Sequence, residues 1–133
     1  MIVLDTHAWI WWVSDPSRIP RRSRARIERA SSGAQPLYVS AISVWELAML
    51  VEHGRLTLSL DVADWLARAE AAPDVEFVPV DNRVALRAVR LHDFPHKDPA
   101  DRLIVSTALG LGATLVTADQ RLHRYKPLPT LWD

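Results

Sequence analysis

No cysteine occurs in this chain. That excludes a disulfide framework and any thiolate metal site, and it suits a reducing compartment, so a cytoplasmic location is the expectation. No apolar run reaches the roughly 18–20 residues that a membrane-spanning helix needs. Residues 1–13 are apolar but too few, include Asp5 and carry no basic leader, so they do not read as a signal peptide. There is no repeat, no low-complexity tract and no long linker. Net charge is missing too, because 16 basic and 16 acidic residues cancel. A nucleic-acid-binding protein ordinarily leaves a basic footprint. A zero total can hide asymmetry, however. Within residues 18–29, Arg18, Arg21, Arg22, Arg24, Arg26 and Arg29 are opposed only by Glu28.

What is present is an ordinary globular balance. Hydrophobic residues make up 49% and charged residues 24% of 133 positions, enough for one domain, 1–133, with a real core. Ile2, Val3 and Leu4 form a short continuous apolar run, as in a parallel strand buried on both faces. Residues 7–13 follow as a tryptophan-rich helical stretch, broken at Ser14-Asp15-Pro16. Residues 20–31 read as an arginine-rich helix ending near Gly33. Leu37, Tyr38 and Val39 form a second buried strand, and a helix over 43–53 stops at Gly54. Another helix covers 61–72, where Val62, Trp65, Leu66 and Ala69 recur at helical spacing. Strands at 75–80 and 113–116 bracket helices at 82–91 and 98–111, the second with Asp98 as N-cap and Pro99 in its first position. Thr130-Leu131-Trp132 would add a short edge strand. Strands alternating with helices predict right-handed crossovers and a mostly parallel sheet covered on both faces, an α/β fold.

Such sheets carry their sites at the carboxyl ends of the strands. Asp5 directly follows strand one, and Asp119 follows strand four. Glu46 lies in the first turn of the helix after strand two. Asp98 and Asp101 open the helix that leads into strand four. Four segments therefore deliver carboxylates to one edge. Each acid alone has a simpler account. Asp5 fits an N-cap. Glu46 fits a capping box, Ser43-Val44-Trp45-Glu46, with its side chain reaching back to the cap amide. Asp98 and Asp101 suit a helix start, and Asp119 a turn. Their joint placement is what capping does not explain. Carboxylates crowded into a cleft raise one another's energy. A divalent cation such as Mg²⁺ relieves this, and can activate water and hold a phosphodiester. No histidine–cysteine zinc pattern competes.

The segments Val3-Leu4-Asp5-Thr6-His7, Ser43-Val44-Trp45-Glu46, Asp98-Pro99-Ala100-Asp101-Arg102-Leu103-Ile104 and Leu115-Val116-Thr117-Ala118-Asp119 together resemble the ordered motifs of PIN-domain nucleases. More narrowly they resemble the VapC toxins of bacterial type II toxin–antitoxin pairs. The resemblance runs from about residue 2 to Leu131-Trp132. It implies an α/β/α sandwich, cleavage of RNA with Mg²⁺ or Mn²⁺, a homodimer, and inhibition by a VapB-like antitoxin. Asp5, Glu46, Asp101 and Asp119 match the family's acidic quartet as catalytic and metal-holding residues. Asp98 is an extra acid, either supporting the site or capping the helix. Thr6, Ser43 and Thr117 fall where small hydroxyl residues stand near the metal. On this reading Asp5 and Asp101 hold the principal metal, Glu46 orients or deprotonates water, and Asp119 completes the set. Cleavage would leave a 3′-hydroxyl and a 5′-phosphate. Selectivity for one RNA would lie in loops and surface charge.

Three other functions are weighed. A degenerate binding module is disfavoured by the intact acidic quartet. A PIN nuclease of RNA processing would share the chemistry without being a toxin. A haloacid-dehalogenase-type phosphatase also uses an aspartate after strand one, but needs an acid two residues later, where this chain has His7. The six tryptophans suit core and interface packing more than base stacking. Trp9 and Trp12 would share a face near a dimer contact. Arg102 is expected to pair with Asp98, and the region's histidines, His7, His92 and His96, are expected to be neutral hydrogen-bonding groups. The arginines of 18–29 read either as a solvated helix face or as a patch for RNA or an acidic partner.

Overall fold

A computed structural model describes all 133 residues. Five parallel strands form one sheet in the order β3-β2-β1-β4-β5. They are β1 (Ile2–Leu4), β2 (Leu37–Ser40), β3 (Val75–Val78), β4 (Thr114–Val116) and β5 (Thr130–Leu131). Seven α-helices intervene: α1 (Thr6–Ser14), α2 (Arg21–Ser31), α3 (Ile42–Glu52), α4 (Val62–Ala71), α5 (Asn82–Val89), α6 (Pro99–Leu111) and α7 (Gln120–His123). β1 is central, with Leu4 in register with Val39 on one side and Val116 on the other. The chain therefore leaves β1, β2 and β4 at one level, and the residues after these strands become neighbours.

Apolar residues on both faces of β1 explain why its run is continuous rather than alternating. Side chains switch faces at each residue of a strand. Ile2 and Leu4 pack with Trp9 and Ile10 of α1, Ile27 of α2, Leu47 of α3 and Trp65 of α4. Val3 faces the other way, onto Ile104, Val105 and Ala108 of α6 and onto Leu122 and Tyr125. Two helical layers thus sandwich the sheet, as expected. On the α6 side, α5 is bound by Ser106 Oγ donating to Val84 O at 2.7 Å and Arg87 Nη1 donating to Ser106 O at 3.0 Å. The Arg87 guanidinium packs against Gly110, where a larger residue would make it shift.

Most boundaries shift by one or two residues from the expected ones. β3 ends at Val78 because Pro79 has no N–H for the ladder. A 3₁₀ turn at Pro16–Arg18 and the four-residue α7 lack the length to produce a periodic signal. One correction is substantive. The Ser43–Glu46 capping box does not form. α3 starts at Ile42, its N-cap position is Ala41, and no side chain caps it. Glu46 is therefore free to serve another contact. A second correction concerns Trp9, which is fully buried against Trp65 and Phe77 inside this chain and is no part of an exposed contact face.

Candidate active site

Asp5 is placed by the sheet itself. Its N–H donates to Val116 O at 3.0 Å, continuing the β1–β4 ladder one residue past the strand. Its side chain then caps α1, with Oδ1 accepting from the Thr6 N–H at 2.9 Å. The other oxygen, Oδ2, accepts from Thr117 Oγ1 at 2.6 Å. Both carboxylate oxygens are fixed, and each keeps a second lone pair. The capping account and the site account of Asp5 are thus both satisfied by one geometry. Burial pushes the Asp5 carboxyl above its ordinary value, against the lowering effect of Thr117, Thr6 and His7.

Thr6 turns the other way. Its hydroxyl donates to Glu46 Oε1, forty residues distant in the chain. Ser43 Oγ lies 2.8 Å from the same hydroxyl oxygen. Since Thr6 has one proton and gives it to Glu46, Ser43 supplies the donor of that second contact. Thr6 and Ser43, both buried, form a small relay that orients Glu46. Burial raises the Glu46 carboxyl, and the charges of Asp5 and Asp98 add to the rise.

The first turn of α6 carries two acids. Asp98 is the N-cap, accepting from the Ala100 N–H at 2.9 Å. Asp101 sits behind it, mostly buried. Burial, then the charges of Asp5, Asp98, Glu46 and Asp119, push its carboxyl up from 3.8 to about 8. The helix N-terminus favours anions there, yet does not outweigh four neighbouring carboxylates.

Asp119 closes the ring. Its N–H donates to Thr117 Oγ1 at 3.1 Å, so one buried hydroxyl ties Asp119's backbone to Asp5's side chain. Asp119 caps α7 and is gripped by the Arg121 side chain at 3.2 and 3.3 Å. Burial would raise its carboxyl, but the Arg121 contacts prevail and hold it below the ordinary value. His123 pins the segment from below, with Nε2 2.7 Å from Thr117 O and Nδ1 2.7 Å from Thr130 Oγ1.

All the acids named from the sequence therefore border one hollow of about 490 Å³. Two groups of potential ligand atoms lie within 4.8 Å of one another, Glu46 with Asp98 and Asp101, and His96 with Asp101 and Asp119, while Asp5 borders the hollow outside both groups. Asp101 belongs to both. This donor set suits a divalent cation. It is rich in hard oxygen, and it holds a carboxyl so destabilised in its charged form that a positive ion would reverse the shift.

Two residues were not anticipated in this role. His96 is buried with Nε2 at 3.4 Å from Asp101 Oδ2 and 3.7 Å from Asp119 Oδ2, and that nitrogen has no hydrogen-bond partner. The expected hydrogen-bonding histidine is thus not what the structure holds. Arg121 was not singled out either. His96 lies in the irregular stretch between α5 and α6 and Arg121 in the four-residue α7, neither long enough to show periodicity, so only the three-dimensional arrangement reveals them. Arg102 also departs from expectation. It makes no pair with Asp98. Its Nη1 donates to Ala88 O at 3.0 Å, and the guanidinium covers the Phe94 ring.

Comparison with known proteins agrees with this geometry. The PIN domain family model matches residues 2–127. Ribonuclease VapC22 of Mycobacterium tuberculosis is 40% identical over 133 residues, 98% of each chain. Among solved structures, a VapBC2 from Rickettsia felis bound to a promoter DNA fragment superposes with a TM-score of 0.72 at 20% identity, over 100% of both chains. A DNA-bound VapBC from Salmonella typhimurium gives 0.70 at 21% identity, over 98% of this chain and 96% of that one. FitAcB from Neisseria gonorrhoeae gives 0.66 at 23%, with the same coverage. These structures share the fold, while the mycobacterial relative and the family model carry the kinship. The chain belongs to the PIN-domain family, within its VapC ribonuclease branch.

Proposed function

We propose that this chain, as one nuclease unit over 1–133, hydrolyses RNA phosphodiester bonds with a divalent cation and acts as the toxin of a toxin–antitoxin pair. The observation that carries the reading is the gathering of Asp5, Glu46, Asp98, Asp101 and Asp119 from four chain segments around one hollow. No packing or capping requirement calls for five carboxylates there, and the raised Asp5, Glu46 and Asp101 carboxyls reflect the cost of burying them, with their mutual charge adding to it. Enzymes tolerate such costs where charge is needed for chemistry.

Asp5, Asp101, Asp119 and Glu46 would hold the ion, Mg²⁺ or Mn²⁺, which when bound supplies positive charge to the scissile phosphate and acidifies water. The rest is the work of the side chains. Thr117 and the Thr6 amide fix Asp5 so that its free lone pairs face the hollow. Glu46, held by Thr6, has a carboxyl raised toward neutrality, the property a base needs to take a proton from an attacking water. Attack at phosphorus with departure of the 3′ oxygen would leave a 3′-hydroxyl and a 5′-phosphate. Asp98 supports the site by opening α6 and adding negative charge.

The partners follow from kinship. The solved structures of the same fold include two VapBC assemblies bound to DNA and a toxin-antitoxin complex from Klebsiella pneumoniae. A VapB-like antitoxin is therefore proposed for this chain, together with homodimerisation and a cytoplasmic site of action, where the RNA is. No helix is long and apolar enough to cross a membrane. The deciding assay is cleavage of total RNA with Mg²⁺ or Mn²⁺, with EDTA, and with Asp5→Asn. Cleavage should vanish in the last two while the circular dichroism of the variant matches the parent. Full cleavage by a folded Asp5→Asn protein would remove the reading.

A further inference from the structure

We infer that His96 is a nitrogen ligand to the divalent cation, beside Asp101 and Asp119, and that it tilts the site from Mg²⁺ toward Mn²⁺. This rests on the metal-dependent nuclease reading above and adds a residue outside the acidic quartet. The His96 side chain is only 9% exposed, and its Nε2 is directed between two carboxylates. A ring N–H facing a carboxylate normally closes to about 2.7–2.9 Å. Here the separations are 3.4 and 3.7 Å, and no hydrogen bond forms to either acid or to anything else. A buried nitrogen left unsatisfied costs free energy, so such an atom calls for a partner. The ring is fixed by packing rather than by polar contacts. It lies against Phe94, which is itself held edge-on by Tyr125 and covered by Arg102.

A cation supplies the missing partner. Ligand atoms at right angles around an ion with bonds of about 2.1 Å stand about 3.0 Å apart. The observed 3.4 and 3.7 Å spacings need only a small contraction to reach this. An Nε2 lone pair and two carboxylate oxygens that repel when the site is empty would all be attracted to the same ion. Imidazole is a poor match for Mg²⁺, which takes hard oxygen, and a better one for first-row transition ions. The second acidic group, Glu46, Asp98 and Asp101, offers oxygen alone.

Metal-free full-length protein is titrated with Mn²⁺ and with Mg²⁺ by calorimetry, and the Mn²⁺ form is examined by pulsed electron paramagnetic resonance for directly bound nitrogen. The parent should show that nitrogen coupling. His96→Gln should lose it and bind Mn²⁺ roughly 10- to 100-fold more weakly, with Mg²⁺ affinity changed less than about threefold. Mn²⁺ binding with no nitrogen coupling, or coupling that persists in His96→Gln, overturns the assignment and leaves the nuclease reading standing. Failure of the parent to bind either ion overturns both. Should His96→Gln not fold, His7→Gln decides, because His7 also borders the hollow. Coupling kept in that variant supports His96, and coupling lost assigns the nitrogen to His7 instead.

Discussion

The two ends of the sheet carry hollows of nearly equal size and opposite character. At the carboxyl ends, about 490 Å³ is bordered by carboxylates from four segments of the chain. At the amino ends, about 470 Å³ is bordered by Met1, Ile2, Gln35 and Pro36 together with Arg26 and Arg29 of α2. Volume does not distinguish them. What differs is how the charges are held. Arg26 and Arg29 come from one helix and project into solvent, and Arg29 lies in its last turn, where the helix dipole favours cations. Apart from exposed Asp98 the acids are partly buried, and they come from distant segments; burial first, and their mutual charge second, raises Asp5, Glu46 and Asp101. The first arrangement is what a soluble helix produces unaided. The second must be maintained against its own electrostatics, and that marks the functional end.

The largest expected effect is at Asp101, the acid shared by both candidate ion groups. Asp101→Asn should reduce RNA cleavage by roughly 1000-fold or more, as loss of a group aimed at transition-state charge does. The same substitution should stabilise the metal-free protein near pH 8, because it removes a carboxylate that four others repel. Activity and stability moving in opposite directions would confirm that this end of the sheet is organised for chemistry. A loss of both would make Asp101 a structural residue and erase the contrast.

Next in size is the contact that orients Asp5. Thr117 is fully buried and spends its proton on Asp5 while accepting from the Asp119 N–H. Thr117→Val keeps the shape and removes both. Cation affinity, measured by calorimetry, should fall roughly 10- to 100-fold, and cleavage should fall with it. An unchanged affinity would show that Asp5 needs no such support.

A smaller effect concerns pH. Folding raises the Asp101 carboxyl from 3.8 to about 8, and it raises Asp5 and Glu46 in the same direction. Between these limits the folded protein holds a proton that the unfolded chain has released. These carboxyls make the stability of the metal-free protein fall as pH rises from about 4 to about 8, and His96, which burial holds below its ordinary value, offsets part of the fall below about 6.5. The fall should be at least about 1.4 kcal/mol, the worth of one unit of displacement. Urea unfolding at pH 5 and pH 8 measures it, and saturating Mn²⁺ should restore the lost stability at pH 8. Stability that rises over this range would mean that the carboxylates are not forced together.

Much of this end was legible in the sequence because strands and caps are local. Ile2-Val3-Leu4 shows a strand buried on both faces, and a parallel strand sends its next residue to the carboxyl edge. Asp98-Pro99 announces a helix start whose first turn must carry Asp101. Glu46 was legible as a position but not as a contact. Its expected capping box needed Ser43 at the cap, whereas α3 begins earlier and Thr6, forty residues away, takes Glu46's oxygen. His96 was not legible at all. It lies in the irregular stretch between α5 and α6, and its position depends on Phe94 packing against Tyr125, a contact across thirty residues that leaves no periodic trace. Arg102 misled for the same reason. Adjacency to an acid in sequence suggested a pair, yet α6 turns it toward Ala88 O and the Phe94 ring.

The smallest expected effect lies at the opposite end, and it tests the comparison by its smallness. Arg26→Ala with Arg29→Ala removes two exposed cations from the amino-end hollow. Exposed substitutions of this kind change stability within about 0.5 kcal/mol. Cleavage of a short oligonucleotide should change less than about twofold, since a short strand seated on the acids has no reason to reach the far end of the sheet. On long RNA the double variant should show at most a shallower dependence on salt, because each lost phosphate contact removes about one from the slope. A tenfold loss on the short substrate would place RNA across both hollows. The arginine-rich helix would then be part of the substrate path, and the absence of net charge would be the sum of two working surfaces rather than of one site and a solvated face.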